Sequence, residues 1–173
     1  TEKGTNRTQF INGQIDKYSW VDKGSSYVLS DLLAALLYGQ LKNSEEVQLK
    51  RSIIWGRYFT ELSDWAFKNR VALPFVPKHC VQSYHMFYML FSGKRDRDKF
   101  ISYLSDKKIT SAFHYLPLDS SKMGSQISLS DQCECPVSSN VSDCIVRLPM
   151  FFDLGVKDQS RIIETINNFS IEG

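Results

Sequence analysis

The apolar run 85–91 constrains the fold more than any other part of the sequence. It is rich in aromatic side chains and ends just before Gly93, which predicts a buried central strand. Residues 95–107 have amphipathic helical spacing, and residues 109–115 predict another strand that ends before a proline. A strand–helix–strand unit of this kind indicates an α/β domain.

Two amphipathic segments precede this unit. The first begins near Ser30 and carries leucines at helical spacing. The second follows a pattern that resembles a capping box, with Asn43 as the cap and Glu46 three residues later, and extends to about Lys68. The two segments predict helices that are either separate or joined as one long bent helix. The leucines of the first are Leu29, Leu32, Leu33, Leu36, Leu37 and Leu41.

Shorter segments complete the predicted order. Glycines interrupt any helical period in residues 1–28, which predicts an extended arm. Residues 71–75 predict a short strand, and the serine-rich stretch 120–142 predicts a loop. Helices are expected at 138–147 and, to close the chain, at 158–169.

Charge and cysteine content exclude some classes of protein. The formal net charge of +2 argues against a dedicated nucleic-acid binder. The four cysteines are too few for a disulfide scaffold in a chain of this length, so free thiols in a reducing cytoplasm are expected. A zinc site formed by Cys133, Cys135 and Cys144 is the alternative, and on the main interpretation the chain binds no metal.

Few side chains have an obvious chemical role. Among the histidines, His85 begins an apolar strand and is expected to be structural. His114 ends a strand, where ligands gather in α/β folds, and is a candidate binding residue or a structural one. Lys3, Arg7 and Lys17 are either phosphate ligands or solvated charges. The chain begins at a polar segment without an initiator methionine, and we expect it to be a piece of a longer protein.

Read as whole segments, the chain resembles the C-terminal portion of sugar-nucleotide aminotransferases of the DegT/StrS type, in matching order and spacing from about residue 2 to residue 170. The segments that carry the resemblance are Glu2-Lys-Gly-Thr-Asn-Arg7, Asp16-Lys-Tyr-Ser-Trp20, Gly24-Ser-Ser-Tyr27 with Ser30-Asp-Leu-Leu-Ala-Ala35, His85-Met-Phe-Tyr88, Ala112-Phe-His-Tyr-Leu-Pro-Leu118 and Arg147-Leu-Pro-Met-Phe-Phe152.

The resemblance implies a fold type I enzyme that depends on pyridoxal 5'-phosphate and works as a homodimer. Residues 30–173 would form its C-terminal small α/β domain, with a small, mainly antiparallel or mixed sheet packed with helices. Residues 1–29 would form an extended arm of the large domain and dimer interface, followed by a long helix. The large cofactor-binding domain would be absent, together with the family's F-H-x-x-K-N segment and its Schiff-base lysine, which this sequence lacks.

The resemblance also implies roles for residues of the arm. Ser26 lies in the turn that reaches the cofactor phosphate of the partner subunit, at a position where many relatives have asparagine. Lys3, Arg7 and Tyr18 would lie near the substrate site or the dimer seam, where cations suit a nucleotide diphosphate.

His114 and Tyr115 match the family's F-H-Y-x-P-L segment, which lines the sugar-nucleotide pocket. Asp119 departs from the pattern, because relatives usually have histidine at this position, and an acid near a pyrophosphate is unfavourable.

The activity implied is the transfer of an amino group from glutamate to a dTDP-4-keto-6-deoxyhexose, for the synthesis of surface glycans such as lipopolysaccharide. It would take place in the cytoplasm, without nucleic acid or membrane as a partner. Without the lysine the chain alone should be inactive. The alternatives are a free-standing, non-catalytic binding or dimerisation module from a truncated gene, and an unrelated metal-binding α/β domain. In the absence of its partners, the chain should expose an apolar surface at residues 10–27 and 30–41. The isolated chain should then self-associate, or its arm should be disordered or swapped between copies.

Overall fold

The computed structural model describes residues 6–17, 19, 21–25, 27–127 and 135–171; the side chains of Arg7, Ser125 and Ile127 are not described. The helices are α1 (Arg7–Ile11), α2 (Asp31–Lys42), α3 (Ser44–Lys68), α4 (Lys94–Asp106), α5 (Lys122–Ile127), α6 (Pro136–Cys144) and α7 (Val156–Asn167), and the strands are β1 (Tyr88–Leu90) and β2 (Ile145–Arg147). The chain divides into two compact units, Thr1–Ser44 and Glu45–Gly173.

The first unit contains the short helix α1 where an extended arm was predicted. Backbone and side chain of Asn6 both contact Ser19: the amide of Asn6 donates to the Ser19 carbonyl at 3.3 Å, and the Ser19 amide donates to Asn6 Oδ1 at 2.7 Å. The prediction of an arm without helix was therefore wrong over Arg7–Ile11. Glycines later in the segment interrupt the period but leave room for one helical turn before Gly13, which has a φ of +68°.

Helix α2 is capped at both ends. Its N-cap is Ser30, whose Oγ accepts a hydrogen bond from the Leu33 amide at 3.4 Å. Asn43 follows the last turn, and its side-chain amide donates to the Gly39 carbonyl at 3.0 Å. Asn43 thus closes α2 and directly precedes α3, which begins at Ser44; its role as the N-cap of α3 stays a prediction. All six leucines of the predicted apolar face are exposed, as expected.

The second unit is built around α3, which is 25 residues long. Its buried face has the predicted helical period and packs with buried residues of α4 and α7. Burial of this apolar surface is the main force that holds the unit together. The buried side chains of these helices include Ile54, Tyr58, Leu62, Trp65, Phe100, Leu104, Ile162, Ile163 and Ile166.

A small antiparallel sheet packs with these helices. β1 pairs with β2 so that Tyr88 lies opposite Arg147 and Met89 opposite Val146. An isolated bridge joins Ala72 to Leu90 on one side, and another joins Ala112 to Arg147 on the other. The antiparallel sheet of the expected small α/β domain is therefore confirmed.

Several predicted boundaries were wrong. The strand expected at 85–91 is limited to β1, and the strands expected at 71–75 and 109–115 are reduced to single bridges. The helix expected at 138–147 ends at Cys144, because Ile145 and Val146 are buried in β2, where β-branched side chains fit a sheet.

The loop expected at 120–142 contains α5 and most of α6. Helix α6 begins at Pro136, and proline suits the first helical position because its missing amide hydrogen would have no partner there. The serine-rich composition obscured this start signal.

Candidate functional site

One face of the sheet carries the side chains of Tyr88 and Arg147, and we call it the outer face. Met89 and Val146 are fully buried on the opposite face, towards the core. Directly paired residues of an antiparallel sheet point to the same side, so Tyr88 and Arg147 share the outer face with Ala112. Tyr88 and Arg147 are both half-buried, which leaves part of each side chain accessible.

His114 and Tyr115 follow the bridge at Ala112 and lie beside Arg147. Their rings are 4.0 Å apart between centroids. The guanidinium carbon of Arg147 lies 5.6 Å from the centroid of the Tyr115 ring, in cation–π geometry. Two of the sequence-predicted site residues are thus brought together with an arginine that the sequence analysis did not single out.

Helix α6 fixes the backbone of this segment. Ser142 is buried, and its hydroxyl donates to the carbonyl of Tyr115 at 2.6 Å. The stretch expected to be a loop therefore supplies a contact that positions Tyr115.

A cavity of about 130 Å³ opens beside Arg147. Its wall includes Pro149, whose carbonyl accepts a hydrogen bond from the buried Tyr58 hydroxyl at 2.9 Å. His85 lies at the rim, and its Nδ1 is 2.7 Å from the Ser83 hydroxyl. The residues that line the cavity are His85, Met86, Thr110, Ala112, Arg147, Leu148, Pro149 and Met150.

The electrostatic potential around His114 is positive. Desolvation of the ring lowers the pKa of His114, and the charges of Arg147 and then His85 lower it further. The atoms His114 Nδ1 and Arg147 Nε are shielded from solvent and have no hydrogen-bond partner in the described part of the chain. The region can therefore bind an anionic group, and His114 is held in its neutral form at neutral pH.

The other predicted site residues are not tested. Lys3, Tyr18 and Ser26 lie outside the described residues, and of Arg7 only the backbone is described, in α1. Their roles remain predictions. Asp119, the departure from the family pattern, is half-buried.

Sequence reasoning missed Arg147 and treated His85 as structural. The sequence did contain a signal for Arg147, because this charged residue directly follows the apolar pair Ile145–Val146. Side chains alternate between the two faces of a strand, so Arg147 lies on the opposite face from Val146. Assigning 138–147 to a helix hid that alternation.

The cysteines show no clustering in the described ranges. Cys80 and Cys135 are exposed and Cys144 is half-buried, and all three are free thiols. Cys133, the remaining member of the zinc alternative, lies outside the described residues. Within those ranges, no three histidine, cysteine, aspartate or glutamate side chains are grouped so that they could hold a metal ion. No described helix has both the length and the apolar character needed to cross a membrane.

Comparisons with known proteins place this arrangement in a family. Residues 3–167 match the DegT/DnrJ/EryC1/StrS aminotransferase family. A DegT/DnrJ/EryC1/StrS aminotransferase from Brucella abortus is 26% identical, with a TM-score of 0.75 over 96% of this chain and 43% of that one.

Two further structures share the fold. The sugar aminotransferase CalS13 from Micromonospora echinospora is 21% identical, with a TM-score of 0.76 over 95% of this chain and 41% of that one. Spr1654 from Streptococcus pneumoniae, solved in a PLP-form, is 19% identical, with a TM-score of 0.70 over 87% of this chain and 38% of that one. The chain thus spans about two fifths of the length of these relatives. It belongs to the DegT/DnrJ/EryC1/StrS aminotransferase family.

Proposed function

We propose that this chain is the C-terminal part of a pyridoxal-phosphate-dependent sugar-nucleotide aminotransferase. The enzyme transfers an amino group from glutamate to the C4 ketone of a dTDP-4-keto-6-deoxyhexose, as dTDP-4-amino-4,6-dideoxygalactose transaminase does. It works as a cytoplasmic homodimer in the synthesis of surface glycans. Family membership supports amino transfer, the similarity to CalS13 supports a sugar substrate, and the PLP-form of Spr1654 supports the cofactor.

The observation that carries the proposal is the cluster of Arg147, His114 and Tyr115 on the outer face of the sheet. It combines a half-buried cation with an imidazole and an aromatic ring, and the cation lines a cavity. These groups suit the binding of a large anionic substrate, with the cation attracting phosphate oxygens and the rings packing against the sugar. In the proposed enzyme they hold and orient the sugar nucleotide.

The described residues around the cavity do not fit the covalent site of pyridoxal phosphate, because no lysine lines the cavity. No step through the cofactor therefore follows from them. We place the lysine that holds the cofactor in the part of the protein outside residues 1–173. Ser26 and the arm residues Lys3, Arg7 and Tyr18 keep their proposed roles at the cofactor phosphate and substrate of the partner subunit.

The activity can be tested on the natural gene product that contains this sequence. We expect it to form 2-oxoglutarate from glutamate when both pyridoxal phosphate and dTDP-4-keto-6-deoxyglucose are present, with the amino sugar detected by mass spectrometry. The 173-residue chain, assayed alongside, should form none. Amino sugar formed by the isolated chain would contradict the proposal that the catalytic lysine lies outside residues 1–173. If the full gene product forms no amino sugar, the proposed keto-sugar substrate is contradicted.

A dimerisation module without catalysis is the second candidate. The exposed leucine face of α2 favours it, because such a surface needs a covering partner. A natural gene product that is no longer than this chain and forms a stable dimer would support it over the enzyme.

A further inference from the structure

We propose that Arg147, His85 and Thr110 form an anion-binding subsite in the cavity beside β2, which takes one phosphoryl group. The choice of natural ligand, the diphosphate of a sugar nucleotide, rests on the proposed function. The binding of a phosphate anion does not, because it follows from the side chains and the cavity alone.

The first argument is the unneutralised charge of Arg147. Arg57, by contrast, lies 2.6 Å from the Glu61 carboxylate. For Arg147, the described residues place no carboxylate within 4.0 Å and no side-chain hydrogen-bond acceptor, although its Nε is shielded from solvent. A partly buried cation without a counter-ion is costly, and an anion in the adjacent cavity would offset that cost.

The second argument is the orientation of the guanidinium. Its position over the Tyr115 ring limits the directions it can take, and Ser142 holds the backbone of Tyr115 through the carbonyl. A guanidinium that is held in this way presents its remaining N–H groups as a fork, which matches two oxygens of a phosphate. Arg147 is therefore partly preorganised for binding.

The third argument is the set of donors around the cavity. Thr110 supplies a hydroxyl and His85 an imidazole. The Ser83 hydroxyl lies 2.7 Å from His85 Nδ1. When this hydroxyl donates to Nδ1, the ring proton of His85 is on Nε2, and Nε2 is then a donor. Three donors of different geometry suit a tetrahedral phosphoryl group better than a planar carboxylate, which the arginine fork alone could satisfy.

The size of the cavity fits one such group. Its volume of about 130 Å³ exceeds the minimum that one water molecule needs, roughly 10–15 Å³ on a probe-occupied measure, so it admits a phosphoryl group. A whole nucleotide would extend beyond the cavity along the outer face.

The test is a titration of the complete 173-residue chain with inorganic phosphate and with pyrophosphate, at constant ionic strength, followed by the NMR signals of the histidine rings. We expect saturable shifts of the His85 and His114 signals. The pKa of His114 should also rise on binding, because the bound anion offsets the charge of Arg147 that lowers it. Signals that do not respond to either anion would overturn the proposal.

Variants locate the binding. Arg147→Met should weaken phosphate binding at least about tenfold, because it removes a charged hydrogen-bond donor but keeps an apolar stem. Arg95→Met, a matched loss of charge on the exposed face of α4, should bind like the parent chain. Arg147→Lys keeps the charge without the fork and should bind with intermediate affinity; it also serves if Arg147→Met does not fold. Equal affinity in the parent chain and both Arg147 variants would overturn the assignment.

The same titration is repeated with the carboxylates acetate and glutamate. Saturation by these anions and not by phosphate would overturn the choice of a phosphoryl group. A thymidine diphosphate that binds more tightly than pyrophosphate would support the sugar nucleotide as the natural ligand. Phosphate binding with no transaminase activity in the full gene product would leave the subsite standing and reject the proposed function, so the two failures are distinguishable.

Discussion

At the scale of single residues, the lowered pKa of His114 makes the free energy of unfolding depend on pH. Burial of its ring and the positive charges of Arg147 and His85 lower its pKa in the folded chain. In the unfolded chain its pKa returns to about 6.5. As the pH falls below that value, the unfolded state takes up the proton first, so protonation favours unfolding.

We therefore expect the free energy of unfolding to decrease as the pH falls from about 6.5 towards the lowered pKa of folded His114. His114→Gln should flatten this part of the profile, measured by denaturant unfolding at a series of pH values. His79→Gln, at an exposed histidine, is the matched control and should leave the profile unchanged. A profile that is equally steep in His114→Gln and in the parent chain would show that another group is responsible.

At the scale of secondary-structure elements, long periodic segments were predictable and short ones were not. α3, α4 and α7 bury the residues that their spacing indicates, because one continuous apolar stripe per helix fixes the face that turns inward. Strands of three residues, β1 and β2, carry too little pattern, and their pairing depends on contacts distant in sequence. The same limit explains why Arg147 was not singled out, whereas His114 and Tyr115 were predicted from the family resemblance.

The leucine face of α2 is the element whose exposure has a measurable consequence. Leu32 and Leu36 are 81% and 61% exposed and lie one helical turn apart. Exposed apolar stripes of this kind associate in water, so we expect the chain to self-associate.

Sedimentation velocity over a range of concentrations tests this expectation. The double variant Leu32→Glu, Leu36→Glu should shift the chain towards monomer, because it places charges in the centre of the stripe. Val81→Glu is the control, since Val81 is 99% exposed but does not belong to α2. A parent chain that is monomeric at all concentrations would contradict the expectation.

At the scale of the whole molecule, the fold class and family followed from the sequence, whereas the detailed site did not. The collinear order of the motifs from residue 2 to residue 170 agrees with the family match over residues 3–167. The predicted arm roles of Lys3, Tyr18 and Ser26 involve a proposed partner subunit and a proposed larger domain, so they follow from the family resemblance. The outer-face cluster is local to the second unit, and for that reason the structure of this chain reveals it.

The central claim is that this chain supplies substrate-binding groups but not the lysine that holds the cofactor. The most direct test is to incubate the natural gene product with pyridoxal phosphate, reduce it with borohydride and map the labelled lysine by peptide mass spectrometry. The 173-residue chain, treated in the same way, is the control. We predict one labelled lysine in the longer product, outside residues 1–173, and only non-specific labelling of the isolated chain. A single, stoichiometrically labelled lysine within residues 1–173 would contradict the account.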